Sequence, residues 1–573
     1  MKKIYTLFIA IILGFSSCSD FLNEINRNSI TADVLYSTPE GYENLINSCY
    51  SYLRTWYGKS DGYAMSETGT DMYTEGNPSY MGLYASEMQP NQILFEHMWN
   101  NLYGGLNACN AAIIRADAAG LDDATRKRRL GEAHFLRALY LHLIVEQWGG
   151  VVLYTEEMKE PVRTAQRSSV EDFYTQIFAD VEEAITLLAG TPNKDNGRVT
   201  QLAAKAFKAR LCLFRERWAE AASLAKEVIN TPGLAFYDSF AETFDMANNQ
   251  GQTNTEAIWW VDYSVDVTLN NAFDNNGNPS AANSTVLGNG GNSAFIVSGM
   301  CYWMVGGCGI WVASSTDDPR MGNTSPWNLL KPNLAWLHMF DETIDQRWDG
   351  TFRTTWLVNT TTDNYDVAYG ERYGVPGGLQ IGDTAFVTTK YAVTDEYRAG
   401  KRYQIFDRND IFMPDGKMKN RDVYVATYKF QDNTRATGWE YESARDFWVF
   451  RLAEMYFIVA EASMKAGNTS EALSYMNTLR EQRAIPGHEA DMRITAGQLN
   501  IDFILDERAR ELAGEQHRWM DLKRTGKLLE RVRACNPDAA ANIKEHHLLR
   551  PIPQSELDAL VNKEEFGQNP GYR

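Results

Sequence analysis

The stretch WVFRLAEMYFIVAEASMKAGNTSEALSYMNTLREQR, residues 448 to 483, reads as two helices folded back on each other. Leu452, Met455, Tyr456, Val459 and Ala460 recur at the spacing that lines one face of a helix. Gly467 and Asn468 break the pattern where a helix would end, and Thr469 or Ser470 can cap a second helix carrying Ala472, Leu473, Met476 and Leu479. Sliding this hairpin back along the chain by 251 positions (460 − 209 = 251; 472 − 221 = 251) lays Ala460 on Ala209, Met464 on Leu213, Glu471 on Glu220 and Ala472 on Ala221 without a gap. The unit therefore occurs at least twice. Small residues at both registers let helices approach closely. A hairpin that cannot bury its apolar face alone must stack on another, which is the logic of tetratricopeptide-like repeats.

The whole chain sets the bounds. With 573 residues it has room for two to four units of roughly 150 residues. A formal charge of −19 and the absence of a basic stripe argue against a nucleic-acid partner; the run Arg126 to Arg129 reads as a solvated helix start. Aromatics make up 12% of the residues, and many of the 15 Trp and 29 Tyr fall outside helical periodicity, a surplus that calls for a role.

Lys2 and Lys3 precede an apolar run from Ile4 to Leu13, followed by Gly14, Phe15, Ser16, Ser17 and Cys18. That is the order of a secretory signal, and the run is shorter than the roughly 20 residues of a bilayer-spanning helix. A Cys after two small residues and before polar Ser19 and Asp20 looks like a bacterial lipoprotein cleavage site, with Phe15 where the usual box carries Leu. In this reading residues 1–17 are removed, Cys18 bears the lipid, and residues 18–40 form a tether. Six other cysteines are scattered; Cys109 and Cys212 sit in apolar helical runs as buried thiols, and Cys301 with Cys308 is the pair to test for a bridge.

Helices are expected at Gly41–Tyr57, Gln92–Ala119, Ala124–Gln147, from a cap at Ser169 to about Leu188, and in the earlier hairpin Val199–Asn230. The segment 58–90 has loop composition, rich in Gly, Ser, Asp, Met and Tyr, and is too long for a mere connection. From Thr231 to Ser443 helical periodicity thins: AIWWVDYSV reads as a strand, strand-like pieces recur at 354–358, 384–391 and 422–428, and one short helix is expected at 333–340. After the late hairpin come helices at Thr495–Ala513 and His517–Arg524. The resulting division is an N-terminal helical part (41–230), a loop- and strand-rich part (231–447) and a C-terminal helical part (448–573), with 41–573 as one intertwined body.

Several runs resemble one known family. PIPQSEL (551–557) with QNPGY (568–572), ILDERARELAGEQHRWMDLKRTGKLLE (504–530), RLAEMYFIVAEA (451–462), FLRALYLHLIVEQWGGVVLY (135–154) and CSDFL (18–22) together resemble the SusD/RagB family of outer-membrane lipoproteins. The resemblance is weakest at 58–90 and 270–373. It implies a mainly α body of about four tetratricopeptide-like helix pairs topped by irregular loops and a few short strands. It also implies no catalysis and no cofactor. Such proteins bind a glycan at the cell surface and sit as a hinged lid on a SusC-like TonB-dependent outer-membrane barrel, with the helical side usually facing the barrel; some relatives capture peptides instead.

Binding without chemistry suits these residues. Sugar rings stack their C–H faces on aromatic planes while polar groups select the hydroxyls, and loop-borne Tyr and Trp supply such a platform. By the family's pattern the platform regions correspond to 71–84 and 302–327. Asp71 resembles an early acidic position, and Tyr80, Tyr84, Trp303, Trp311 and Trp327 are the stacking candidates. The competing reading for each ring is a plug in a satellite core beneath a long loop.

The main rival is a helical-barrel glycosidase using two carboxylates. Against it, Glu132, Glu461, Glu507 and Glu511 lie on helical runs that suit ion pairing. Metal, phosphate-loop and serine-nucleophile chemistry find no motif: there is no HExxH and no GxSxG, and His546 with His547 would point to opposite sides of an extended chain. A pure protein-interaction scaffold is the third class, since such stacks commonly bind peptides.

Overall fold

The computed structural model describes residues 31–75, 79–264, 291–300, 329–358, 364–366, 371–373, 379–434 and 443–573. Its frame is a run of helices in contact with their successors: α1 (Pro39–Ser51), α2 (Ile93–Arg115), α3 (Asp123–Trp148), α4 (Val170–Leu187), α5 (Gln201–Phe214), α6 (Trp218–Ile229), α7 (Leu452–Lys465) and α8 (Thr469–Gln482). Together they make four helical hairpins. Local chemistry sets their ends. Thr38 caps α1 by accepting from the Gly41 amide, with Pro39 at the first helical position where no amide partner is needed. Ser169 and Asp172 form a reciprocal capping box on α4, and Gly149, at φ +72°, takes the chain out of α3.

The internal repeat holds to the residue at both helix starts. Adding 251 to 201–214 gives 452–465, the bounds of α7, and 218 + 251 = 469 is the first residue of α8. The two equivalent hairpins are also neighbours, because α6 packs on α7. Arg210 on α5 reaches Glu454 on α7 (Nε to Oε1 2.6 Å), and Lys226 on α6 reaches Glu471 on α8 (2.7 Å).

A two-stranded antiparallel ladder joins the flanks of this junction. Strand β1 (Ala257–Val261) pairs with β2 (Phe447–Arg451), placing Trp260 opposite Trp448 and Val261 opposite Phe447. The start of the decisive stretch is therefore strand and not helix: Trp448 to Arg451 pair with β1, and α7 begins at Leu452. All ten residues of the ladder are buried, an environment suited to β-branched and aromatic side chains.

The middle of the chain is shorter in regular structure than its composition suggested. Thr355–Leu357 pairs with Thr384–Thr388, which also pairs in parallel with Gln404–Phe406, and within 422–428 the paired strand is Ala426–Thr427, against Phe352–Arg353. The helix expected at 333–340 spans Leu334–Leu337. C-terminal to the stack, α9 (Ile501–Glu511), α10 (Arg518–Arg524) and α11 (Leu528–Cys535) follow, α9 starting at an Asn500 cap, several residues later than Thr495. His546 and His547 lie in a 3-10 turn with ring centroids 3.9 Å apart, so they do not diverge as an extended chain would make them. Cys49, Cys109 and Cys212 are buried free thiols, whereas Cys301 and Cys308 fall outside the described residues.

Candidate functional site

Segment 58–90, expected as an open aromatic loop, is mostly interior. It contains the helix Ser60–Ser66, the strand Tyr73–Thr74 and the helix Tyr80–Leu83, and residues 62–75 are all buried. The strand Tyr73–Thr74 pairs with Lys331–Pro332, and the Asn333 amide donates to the Met72 carbonyl (2.8 Å). Residues 72–74 and 331–333 therefore lie side by side although far apart in sequence, while 302–327, the second region named as a platform, falls outside the described residues. On the other flank, Leu330 donates to the Val297 carbonyl (3.1 Å), and the Tyr424 hydroxyl donates to the Gly299 carbonyl (2.8 Å). Beneath this junction Trp336 touches Tyr73 and Phe352, each with ring centroids 4.9 Å away, and all three rings are buried.

Of the candidate side chains, Asp71 turns out to be an internal anchor. It is wholly buried, and its carboxylate accepts from Arg518 Nε (2.7 Å), Arg518 Nη2 (2.6 Å) and Arg531 Nε (2.8 Å). Burial alone would push the carboxyl up; the Arg518 and Arg531 charges outweigh that and hold it below the usual carboxylate range. Tyr84 is likewise interior, 2% exposed, capping its short helix at φ +49° with its ring 5.0 Å from His547. Neither side chain offers a face to a ligand, because both lie under the helices at the C-terminal end. Tyr80 is partly buried against Phe95, and burial pushes its phenol up to about 12. Trp303, Trp311, Trp327 and Cys18 lie outside the described residues.

The motifs that carry the family resemblance form a buried charge network. Arg451, at the end of β2, donates to Glu511 (2.8 Å) and Glu515 (2.7 Å); Arg483, at the cap that ends α8, donates to Glu256 (2.8 Å) and Glu511 (2.9 Å); Arg347 donates to Asp345 (2.7 Å) and Glu507 (3.0 Å). Glu507 also takes Arg480 and Arg510. Despite complete burial, the surrounding guanidinium groups hold the Glu511 carboxyl well below its ordinary value. Alongside, Arg524 clasps Glu461 with two bonds (2.6 and 2.8 Å). Glu132 takes Arg129 (2.6 Å), Arg198 (2.9 Å) and the Tyr50 hydroxyl (2.8 Å). The four helical glutamates singled out in the sequence are thus all paired and buried. Their work is to lock helices and strands at fixed angles.

Two buried acids gave no sequence signal. Asp446, just before β2, accepts from the Gly251 amide (2.8 Å) and the Tyr263 amide (3.2 Å); burial and then the neighbouring Asp262 push it up to about 8. Glu67 is also driven to about 8 by burial, with the His517 amide donating to it (3.1 Å). An aromatic-walled groove of about 430 Å3 opens on the helical stack, between Trp99 and Tyr103 of α2, Tyr154, and Glu556 and Phe566 near the C-terminal end. Its two α2 rings stand 4.7 Å apart and are 5% and 6% exposed, so they largely cover each other.

Residues 255–572 match the family model described as the SusD family, and residues 20–213 match one described as starch-binding, associating with the outer membrane. SusD-like protein P25 of Formosa agariphila is 26% identical across 100% of both chains, and SusD-like protein P38 of the same organism is 23% identical across 92% of each. Among solved structures, a laminarin-binding SusD-like protein superposes with a TM-score of 0.64 at 21% identity, covering 94% of this chain and 100% of that one. Surface glycan-binding protein A of Bacteroides thetaiotaomicron, in complex with laminarihexaose, superposes with a TM-score of 0.62 at 18% identity, covering 93% and 99%. At these identities the likeness to the solved structures is one of fold.

Proposed function

The chain belongs to the SusD family, and from that premise we propose that it captures oligo- or polysaccharide at the outer face of the outer membrane and passes it to a SusC-like TonB-dependent barrel. It does so without turnover, held to the membrane by a lipid on Cys18 and needing no cofactor. The observation that carries this reading is the match of residues 255–572 to the SusD family model. Two proteins of similar fold, one binding laminarin and one in complex with laminarihexaose, support a glycan as the ligand class. The second family description, which names starch and the outer membrane, supports both the ligand class and the location.

Capture is assigned to the segment that carries Trp303, Trp311 and Trp327; of its described flanks, Lys331–Pro332 pairs with the strand Tyr73–Thr74, and the helix Ala294–Ser298 stands on the other side. Tyr80 is the remaining candidate. An ion-paired base suits a receptor because little of it has to be ordered when a ligand binds. A peptide receptor and a surface glycosidase are the rival readings.

Affinity electrophoresis of the purified chain through gels containing laminarin, starch, xylan or mannan tests the reading, with a peptide mixture as the parallel control. Retardation by one polysaccharide without new reducing ends is the expected result. Reducing ends that accumulate with time refute the receptor reading in favour of a hydrolase. Binding of peptides alone refutes the glycan. The triple variant W303A/W311A/W327A is expected to lose at least tenfold in glycan affinity while still co-purifying with the barrel.

A further inference from the structure

Helix α1 has two faces of equal spacing and opposite chemistry. Tyr42, Leu45, Ile46 and Cys49 are buried in the core, whereas Asn44, Asn47, Ser48 and Ser51 repeat the same i, i+3, i+4, i+7 pattern on the outer side. That outer row is not the Lys and Glu of an ordinary solvated face. It consists of amides and hydroxyls, and it forms one wall of a cleft of about 540 Å3. The opposite wall is the turn Asn196–Gly197–Arg198 with the end of β1, and the apolar floor is Leu53, Trp260 and Val261, each 5% exposed or less. The volume lies within the roughly 300–1,000 Å3 of clefts that hold small ligands.

The polar groups of the walls have capacity to spare. Among the described residues, the side-chain amides of Asn44 and Asn196 and the Nδ2 of Asn47 make no hydrogen bond, and Asn47 Oδ1 is taken by Arg198 (2.7 Å). The turn is held rigidly in place: Asn196 sits at φ +45° with its amide bonded to Gln252 (2.8 Å), and the Gly197 carbonyl accepts from Trp259 (2.9 Å). A Cβ on Gly197 would lie 3.0 Å from Asp262 Cβ, so this turn presses against the strand end.

The charges on the walls cancel locally. Arg198 is matched by Glu43 and Glu132, and Arg54 donates to the Asp262 carbonyl (2.8 Å) beside that residue's carboxylate. Among the described residues, each charge that an ionic ligand would meet there has an opposite charge beside it. A ligand whose groups both donate and accept meets amides and hydroxyls that do the same, whereas Lys would only donate and an ionised carboxylate only accept.

We propose that this cleft is a second saccharide subsite, in which Asn44, Asn47, Ser48 and Asn196 hold a segment of neutral oligosaccharide over the Leu53–Trp260 floor. It rests on the glycan-receptor reading and adds a subsite built from residues other than Trp303, Trp311 and Trp327.

The test is isothermal titration of the full chain, purified in detergent, with laminarihexaose, maltohexaose, xylohexaose and mannohexaose. The double variant N44A/N196G removes two unbonded amides at exposed positions; Gly accepts the positive φ at 196, and the Arg198 network is untouched. A loss of tenfold or more in affinity for the hexaose that binds wild type, with an unchanged melting temperature, is expected. Plugging the cleft with Ser48→Trp should give the same loss and serves as the independent variant. Unchanged affinity in both variants, with a loss in W303A/W311A/W327A, overturns the cleft and leaves the receptor reading standing. Failure of wild type to bind any of the four hexaoses, together with no retardation by any polysaccharide, overturns both.

Discussion

Removing the Asp71 carboxylate separates an anchoring role from a ligand-facing one. Arg518 donates twice to Asp71 and otherwise to the Leu505 carbonyl (2.6 Å), so Asp71→Ala strands a guanidinium 3% exposed without a carboxylate partner. Arg531 keeps Asp502 and Asp506. Breaking a buried pair from one side costs about 3–5 kcal/mol, and because only one of the two arginines is stranded the total stays within that range. Asp71→Asn keeps an acceptor oxygen and loses the charge, at about 1.5–3 kcal/mol. Urea unfolding followed by tryptophan fluorescence reads both as a lower midpoint at unchanged slope. The pH dependence has a definite sign. A carboxyl held below its ordinary value of 3.8 contributes stability above that pH and loses it as pH falls through the lower folded value. The gap between wild type and Asp71→Asn is therefore constant from pH 5 to 8 and narrows below about 4. An unchanged urea midpoint in Asp71→Ala, combined with a tenfold loss of glycan affinity, would refute the anchor.

Asp446 has the opposite sign: burial raises its carboxyl to about 8, so the folded chain binds the extra proton and stability falls as pH rises from about 4 to 8. Asp446→Asn is expected to flatten that slope and to melt above wild type at pH 8.5, read by calorimetry at several pH values; a wild-type slope retained in the variant would contradict the assignment. Arg210→Ala strands Glu454 between the two repeated hairpins and should cost about 3–5 kcal/mol, whereas the double replacement R210M/E454M should come close to wild type. Chemical denaturation of the singles and the double gives the coupling energy directly, and additive losses would mean that the pair carries no interaction.

The helical frame was legible because its signals are short-range. Ser169, Gly149 and Gly467 mark helix ends within a few residues, and the 251-residue shift between hairpins needed no knowledge of the fold. The loop segment at 58–90 misled for the opposite reason. What buries Asp71 is an arginine 447 residues later, and what orders Tyr73 is a strand beginning at Lys331; local composition contains neither. Trp448 to Arg451 read as helix because four residues are too few to distinguish a period of 2 from 3.6, and only the pairing with Ala257–Val261 decides. Asn44, Asn47, Ser48 and Ser51 were readable as a helix face, yet their chemistry became meaningful only when the turn at Asn196 closed a cleft over them.

The two matching hairpins touch in space, yet 222 residues (451 − 230 + 1 = 222) separate α6 from α7 in the chain. Synthesis runs in one direction, so the alanine-rich flank of α6 must wait for its neighbour until nearly four-fifths of the polypeptide exists. A product truncated before Leu452 would end in an unfinished stack with a greasy open flank, ready to seize the same flank on another copy. Completion of α7 thus decides whether that flank is covered.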